Sequence, residues 1–164
     1  MDKVTNIVLA GLGGQGVITA SDALSDVVFR AGFDVKKAEV HGMSQRGGSV
    51  TSDVRFGKQV LSPMVSPGEA DFLVVMEETQ VEPSRHWLKP DGVLLQAGSI
   101  DPRTLPNPKA LNVSMLGMLS VYLDIREAVW VDVIKANLPE RLHELNLKAF
   151  HLGRSVAEKE RHHG

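Results

Sequence analysis

There is no cysteine among the 164 residues. Thiolates are needed for an all-Cys iron–sulfur cluster, a Cys-type zinc site, a disulfide or a thiol nucleophile, so this chain can hold none of these. Any redox metal chemistry is expected on a partner. A basic excess is missing as well: Lys and Arg together number 18 against 20 Asp and Glu, a formal net charge of −2. Nucleic-acid binders usually carry the opposite balance, so no nucleic-acid partner is expected. Long apolar runs are absent too. The longest, Met115 to Leu123, falls well short of the roughly 20 residues of a membrane span. The opening Met1-Asp2-Lys3 leads into an apolar run too brief for a signal-peptide core. The expectation is a cytoplasmic chain with no membrane partner. No His-Glu-x-x-His spacing and no Gly-x-Ser-x-Gly elbow occurs, so neither a metal site nor a serine-hydrolase triad is expected.

What is present is ordinary globular composition, 43% hydrophobic and 23% charged, in a chain sized for one domain. The pattern predicts a single Rossmann-like α/β domain over residues 1–164. It has three layers, a mostly parallel sheet, one β-hairpin and a helical C-terminal third. Ile7 to Ala10 is a continuous apolar run, as a central strand covered on both faces requires. Val17 to Ala31 has a broad apolar face at helical spacing and Gly32 supplies the stop. Phe33 to Glu39 is the second strand, completing a βαβ unit. Ser49 to Phe56 alternates as a strand, with a hairpin turn expected at Phe56 to Val60. Asp71 to Met76 and Val93 to Ala97 are further strands, separated by a short helix near Glu77 to Leu88 and a turn at Lys89-Pro90-Asp91-Gly92. From Leu111 onward the pattern is helical, with Pro139 expected at the first position of the last helix.

Two segments carry chemistry. Gly11, Gly13 and Gly16 fit Gly-x-Gly-x-x-Gly, directly after a strand and opening a helix. Glycine suits a tight turn that lets a phosphate approach the backbone, and the helix N-terminus then offers free N–H groups and a positive dipole end. Gly14 adds another position without a side chain, and Gln15 offers an amide donor. A dinucleotide site would also want an acid at the end of the second strand. Glu39 lies at the right spacing, and Lys36 and Lys37 could instead meet an extra phosphate. An exposed strand end is the plainer explanation of these three residues. The second segment runs from Glu39 to Gly48, Glu-Val-His-Gly-Met-Ser-Gln-Arg-Gly-Gly. Arg46 followed by Gly47 and Gly48 lets a guanidinium grip a phosphate or carboxylate while the backbone wraps close, with Gln45, and less directly His41 and Ser44, beside it. No residue stands out as a proton-transfer catalyst.

These two segments together resemble the gamma-type subunit or domain of 2-oxoacid:ferredoxin oxidoreductases, and most of all the small (beta) subunit of the indolepyruvate type. Ala70 to Val75, Leu88 to Gly92 and Asn146 to Gly153 extend the likeness over nearly the whole chain. Residues 98–111 look shortened against the family, as though a strand-and-helix segment were missing before Asn112. The resemblance implies a non-autonomous subunit of a thiamine-diphosphate-dependent enzyme that decarboxylates a 2-oxoacid oxidatively to an acyl-coenzyme A. Electrons would pass to ferredoxin. Thiamine diphosphate and four-iron, four-sulfur clusters would lie on a large partner subunit, with coenzyme A as a co-substrate that this chain helps to receive. The residues so implicated are Gly11, Gly13, Gly14, Gln15, Gly16, His41, Ser44, Gln45, Arg46, Gly47 and Gly48. The glycine motif alone leaves open a stand-alone NAD(P)- or nucleotide-binding protein.

Overall fold

The computed structural model describes residues 3–41 and 48–163, His41 by its backbone alone. Five strands form one open sheet in the order β2-β3-β1-β4-β5. β1 is Thr5–Leu12, β2 Asp34–His41, β3 Ser49–Gly57, β4 Ala70–Val75 and β5 Leu88–Gln96. β1, β4 and β5 pair in parallel, whereas β3 pairs antiparallel with both β1 and β2. Four strands therefore run one way and β3 runs against them. β1, helix α1 (Val17–Arg30) and β2 make the expected crossover, but β3 lies between the two strands it joins.

Alternation along β1 sends Ile7 and Leu9 to one face and Val8 and Ala10 to the other, and all four are buried. The first face carries the larger core. It packs α1, α3 (Leu111–Ser120), α4 (Glu127–Asn137) and α5 (His143–His163) around the fully buried Trp130 and Phe150. α1 presents Val17, Ala20, Leu24, Val27 and Val28 to it, and each large side chain so buried contributes about 1.5–3 kcal/mol. The second face is covered by Val65 from the β3–β4 connection and by Val81 and Trp87 around the four-residue α2 (Val81–Ser84).

Three local expectations are corrected. The hairpin joins β2 to β3 through residues 42–48, and Phe56 to Val60 is no turn between paired strands. Two carboxylates explain where the chain goes instead. Asp34 accepts from the Val60 N–H at 2.8 Å and buried Asp53 from the Val65 N–H at 2.9 Å, drawing the connection across the second face. Lys89-Pro90-Asp91-Gly92 lies inside β5, at a register irregularity against Ala70 and Phe72. β5 is an edge strand, where one side of the ladder is open and a proline is tolerated. Pro139 precedes a short 3-10 turn, Glu140–Leu142, that runs into α5 at His143. Gly32 does close α1 as expected, at φ +99°, with its N–H bonded to the Phe29 carbonyl.

Candidate functional site

The glycine segment leaves β1 at the C-terminal edge of the parallel strands and turns directly into α1. Gly14 and Gly16 have φ of +89° and +80°, conformations that residues with a Cβ rarely adopt. Gly16 is also pressed by Asn112 at the start of α3: a Cβ built on it would stand 2.6 Å from Asn112 Nδ2. Among the described residues no side chain caps the N-terminus of α1, and no acid stands in its first turn. Its leading N–H groups are therefore available to an anion. A concavity of about 400 Å³ opens there, between the loop, the first turn of α1 and Val50 of β3.

Gln15 braces the loop itself. Its Oε1 accepts from the Leu12 N–H at 2.7 Å and its Nε2 donates to Glu77 Oε1 at 2.9 Å. The amide thus ties the end of β1 to the segment leaving β4, across the point where connections turn to opposite sides of the sheet. Beside it, Ser49 Oγ donates to Gln80 Oε1 at 2.8 Å. For the segment after β4 the sequence predicts only a short helix. Its bracing role has no sequence signal, because the partners lie 62 and 31 residues away.

The two sequence segments meet. The Gly13 N–H donates to the Gly48 carbonyl at 2.9 Å, continuing the β1–β3 ladder that ends at Leu12↔Ser49. Gly11, Gly13, Gly14, Gly16 and Gly48 are thereby brought together. Ser44, Gln45, Arg46 and Gly47 lie outside the described residues, as does the His41 side chain; the backbone of His41 ends β2 opposite Val50. Glu39 lies elsewhere. With β3 inserted, β2 stands two strands from β1, about 9–10 Å away by strand spacing alone. Glu39 pairs with Lys37, which also meets Asp22 of α1. Burial works to lower the Lys37 pKa, but the hydrogen bonds and charges of these two carboxylates outweigh it and hold it raised. Lys36 stands 3.8 Å from Asp34. Asp71, at the opposite edge, accepts from the Asn6 N–H and pairs with Lys89 at 2.7 Å. Among the described residues no group of three His, Asp or Glu is placed to hold a metal ion, and no helix is long and apolar enough to cross a membrane.

Residues 6–109 match the pyruvate ferredoxin/flavodoxin oxidoreductase family. The chain belongs to that family. It is 32% identical to the indolepyruvate oxidoreductase subunit IorB of Thermococcus kodakarensis, over 96% of this chain and 98% of the relative. It is 29% identical to the IorB subunit of Archaeoglobus fulgidus, over 93% and 94%. The first alignment runs to 197 residues, more than the chain's 164, so that relative carries residues this chain lacks. The fold matches the crystal structure of the keto/oxoacid ferredoxin oxidoreductase gamma subunit from Geobacter sulfurreducens. The TM-score is 0.79 at 21% identity, over 96% of this chain and 98% of that one. It also matches 31% of a longer chain, the 2-oxoglutarate:ferredoxin oxidoreductase of Magnetococcus marinus with 2-oxoglutarate, coenzyme A and succinyl-CoA bound. There the TM-score is 0.80 at 21% identity, over 96% of this chain.

Proposed function

We propose that this chain is the small subunit of an indolepyruvate-type 2-oxoacid:ferredoxin oxidoreductase, silent alone and completed by a larger thiamine-diphosphate and iron–sulfur subunit. The IorB likeness over almost the full length of both chains supports the substrate class. With no cysteine, the residues here do not fit an iron–sulfur cluster, and the clusters are assigned to the partner.

Within that enzyme, this chain's part is to receive the phosphates of coenzyme A. The observation that carries this is the Gly13–Gly48 hydrogen bond. It sets the N-terminus of α1 beside Gly48, two residues past Arg46 in the sequence. Backbone N–H groups and a helix dipole would hold an anion, and a guanidinium would add bidentate bonds. The glycines exclude side chains from the approach, and Gln15 with Glu77 keeps the loop in shape. Arg46→Ala in the assembled enzyme is expected to raise the Michaelis constant for coenzyme A on the order of tenfold or more, as loss of a charge-assisted bond does. The complex should stay intact. An unchanged constant sinks the phosphate role. Comparing indolepyruvate, pyruvate and 2-oxoglutarate as substrates tests the class, with indolepyruvate expected to be preferred. The stand-alone dinucleotide reading is disfavoured by β3, which removes Glu39 from the glycine loop that such a site needs it to face.

A further inference from the structure

Only four large apolar side chains stand exposed among the described residues: Phe29, Val40, Leu61 and Met64. All four lie around β2. Asp22 of α1 reaches Lys37, and Phe29 follows Asp22 by two helical turns, on the same side of the helix. Lys37 and Glu39 therefore share the α1 face of β2, and alternation sends Lys36, Ala38 and Val40 to the other. Leu61 and Met64 sit over that second face, on the stretch tied to Asp34 of β2 at one end and to Asp53 of β3 at the other. β2 is also an edge. Its inner side pairs with β3 along its whole length, and no other strand among the described residues takes its outer side. An open row of backbone groups flanked by apolar side chains is a template for another strand.

We infer that β2 pairs antiparallel with β2 of a second copy of this chain, about a two-fold axis through Ala38. Such an axis, normal to the sheet, keeps each face continuous and the contact self-complementary. Charge selects the register. Centred on Lys36, Lys37 or Glu39, the axis would set a charge against its own copy, which destabilises a strand pair. Centred on Val35 or Val40, it would leave much of the strand unpaired. Centred on Ala38, it sets Lys37 of each copy opposite Glu39 of the other, so that two pairs of unlike charge form at once. On the second face Lys36 comes to lie across from Val40, where its aliphatic stem covers the exposed valine and its ammonium stays in water. This match of the strand to its own reverse names a second copy as the occupant. Phe29 flanks the seam on one face, and Leu61 and Met64 on the other. Because the strands reverse across the axis, the two glycine loops stand at opposite ends of one continuous sheet.

Sedimentation of the full chain from micromolar to millimolar concentration is expected to show a species of twice its 17.8 kDa mass. Glu39→Lys sets like charges across the seam and is expected to weaken the association on the order of tenfold or more. Lys37→Glu is expected to do the same. Mixing the two variants should restore a mixed dimer, because unlike charges then oppose again. Ala38→Cys reads the register separately. The chain has no cysteine of its own, so a disulfide formed on mild oxidation has to join two copies. Facing residues have Cα atoms about 4.5–5.5 Å apart, within disulfide reach. Lys36→Cys stands about 13 Å along the strand from its own copy and is expected to stay unlinked. If Lys37→Glu, placed against Asp22, does not fold by circular dichroism, the two cysteine variants and Glu39→Lys decide. A single-chain mass at every concentration overturns the inference. So does a dimer that Ala38→Cys fails to link or that Glu39→Lys leaves unchanged. A chain that stays single until the larger subunit is added, with β2 amides then protected from hydrogen exchange, gives this edge to that subunit and overturns it too.

Discussion

Gly16 meets two demands at once, a left-handed backbone and a surface without a side chain against Asn112. Gly14 meets only the first, since nothing lies within 4 Å of a Cβ built there. Gly14→Ala is therefore expected to cost the backbone strain alone, about 1–2 kcal/mol. Gly16→Ala should cost that and the displacement of Asn112, a further 1–3 kcal/mol or so. Urea unfolding of the two variants separates them. Gln15 shows what sequence reading misses at this scale. The motif drew attention to the residue, but a side chain's direction depends on its neighbours, and both partners of Gln15 are groups whose position only the folded sheet sets. Gln15→Glu would place a carboxylate against Glu77. Like charges at that distance disfavour joint ionisation. The variant is expected to be destabilised at pH 7 and to recover stability relative to the parent as the pH falls toward 5, read from thermal melts across that interval.

Among the elements, α3 and α5 pack closely through a glycine on each. A Cβ on Gly117 would run into the Phe150 carbonyl, and one on Gly153 into the Ser114 carbonyl. The two helices touch backbone to backbone, so neither neighbour can yield as a side chain would. Gly153→Ala is expected to cost about 3 kcal/mol, at the upper end of overpacking effects, with the loss visible in the unfolding midpoint. On β3, burial raises the pKa of Asp53, only partly offset by the Val65 N–H and by Arg55. Its folded pKa exceeds the unfolded value of about 3.9. The native chain thus holds a proton that the unfolded chain releases, and stability rises as pH falls through the folded pKa. In Asp53→Asn the amide oxygen still accepts the Val65 N–H and the ionisation is gone. The variant is expected to exceed the parent in stability at pH 7, with the difference vanishing below about pH 4. Most elements were legible because their apolar spacing is strong: β1, α1, β4 and the buried α3. The misread ones depend on partners. Lys-Pro-Asp-Gly has the chemistry of a turn, yet Ala70 pairs with Leu88 and Phe72 with Val93 on either side of it, holding it within a strand. The true hairpin falls in a polar glycine-rich stretch whose length disguised it.

For the whole molecule, the long helices gather on one face of the sheet while the other is covered by a connection and the short helical turns between β4 and β5. The expected three layers are thus uneven, and the site lies at their common edge. The order of the strands was not legible, because nothing in the β3 sequence says that it enters between β1 and β2. With no thiolate to carry a cluster, the isolated chain is expected to reduce no viologen dye with any 2-oxoacid. Activity should arise only on mixing with the larger subunit under anaerobic conditions. Dye reduction by the chain alone would contradict the proposed division of labour.

The insertion of β3 also has a kinetic consequence. The β2–β3 ribbon closes over a short connection, whereas β1 reaches β3 only through pairs as distant as Thr5↔Phe56. Distant pairings are slow because the entropy of closing a large loop is spent before any contact rewards it. The ribbon is expected to form early and β1 to dock later. The glycine loop at the end of β1 therefore takes shape among the last parts of the chain. In pulse-labelled hydrogen exchange during refolding, the amides of Val35 to Val40 should gain protection before those of Ile7 to Ala10.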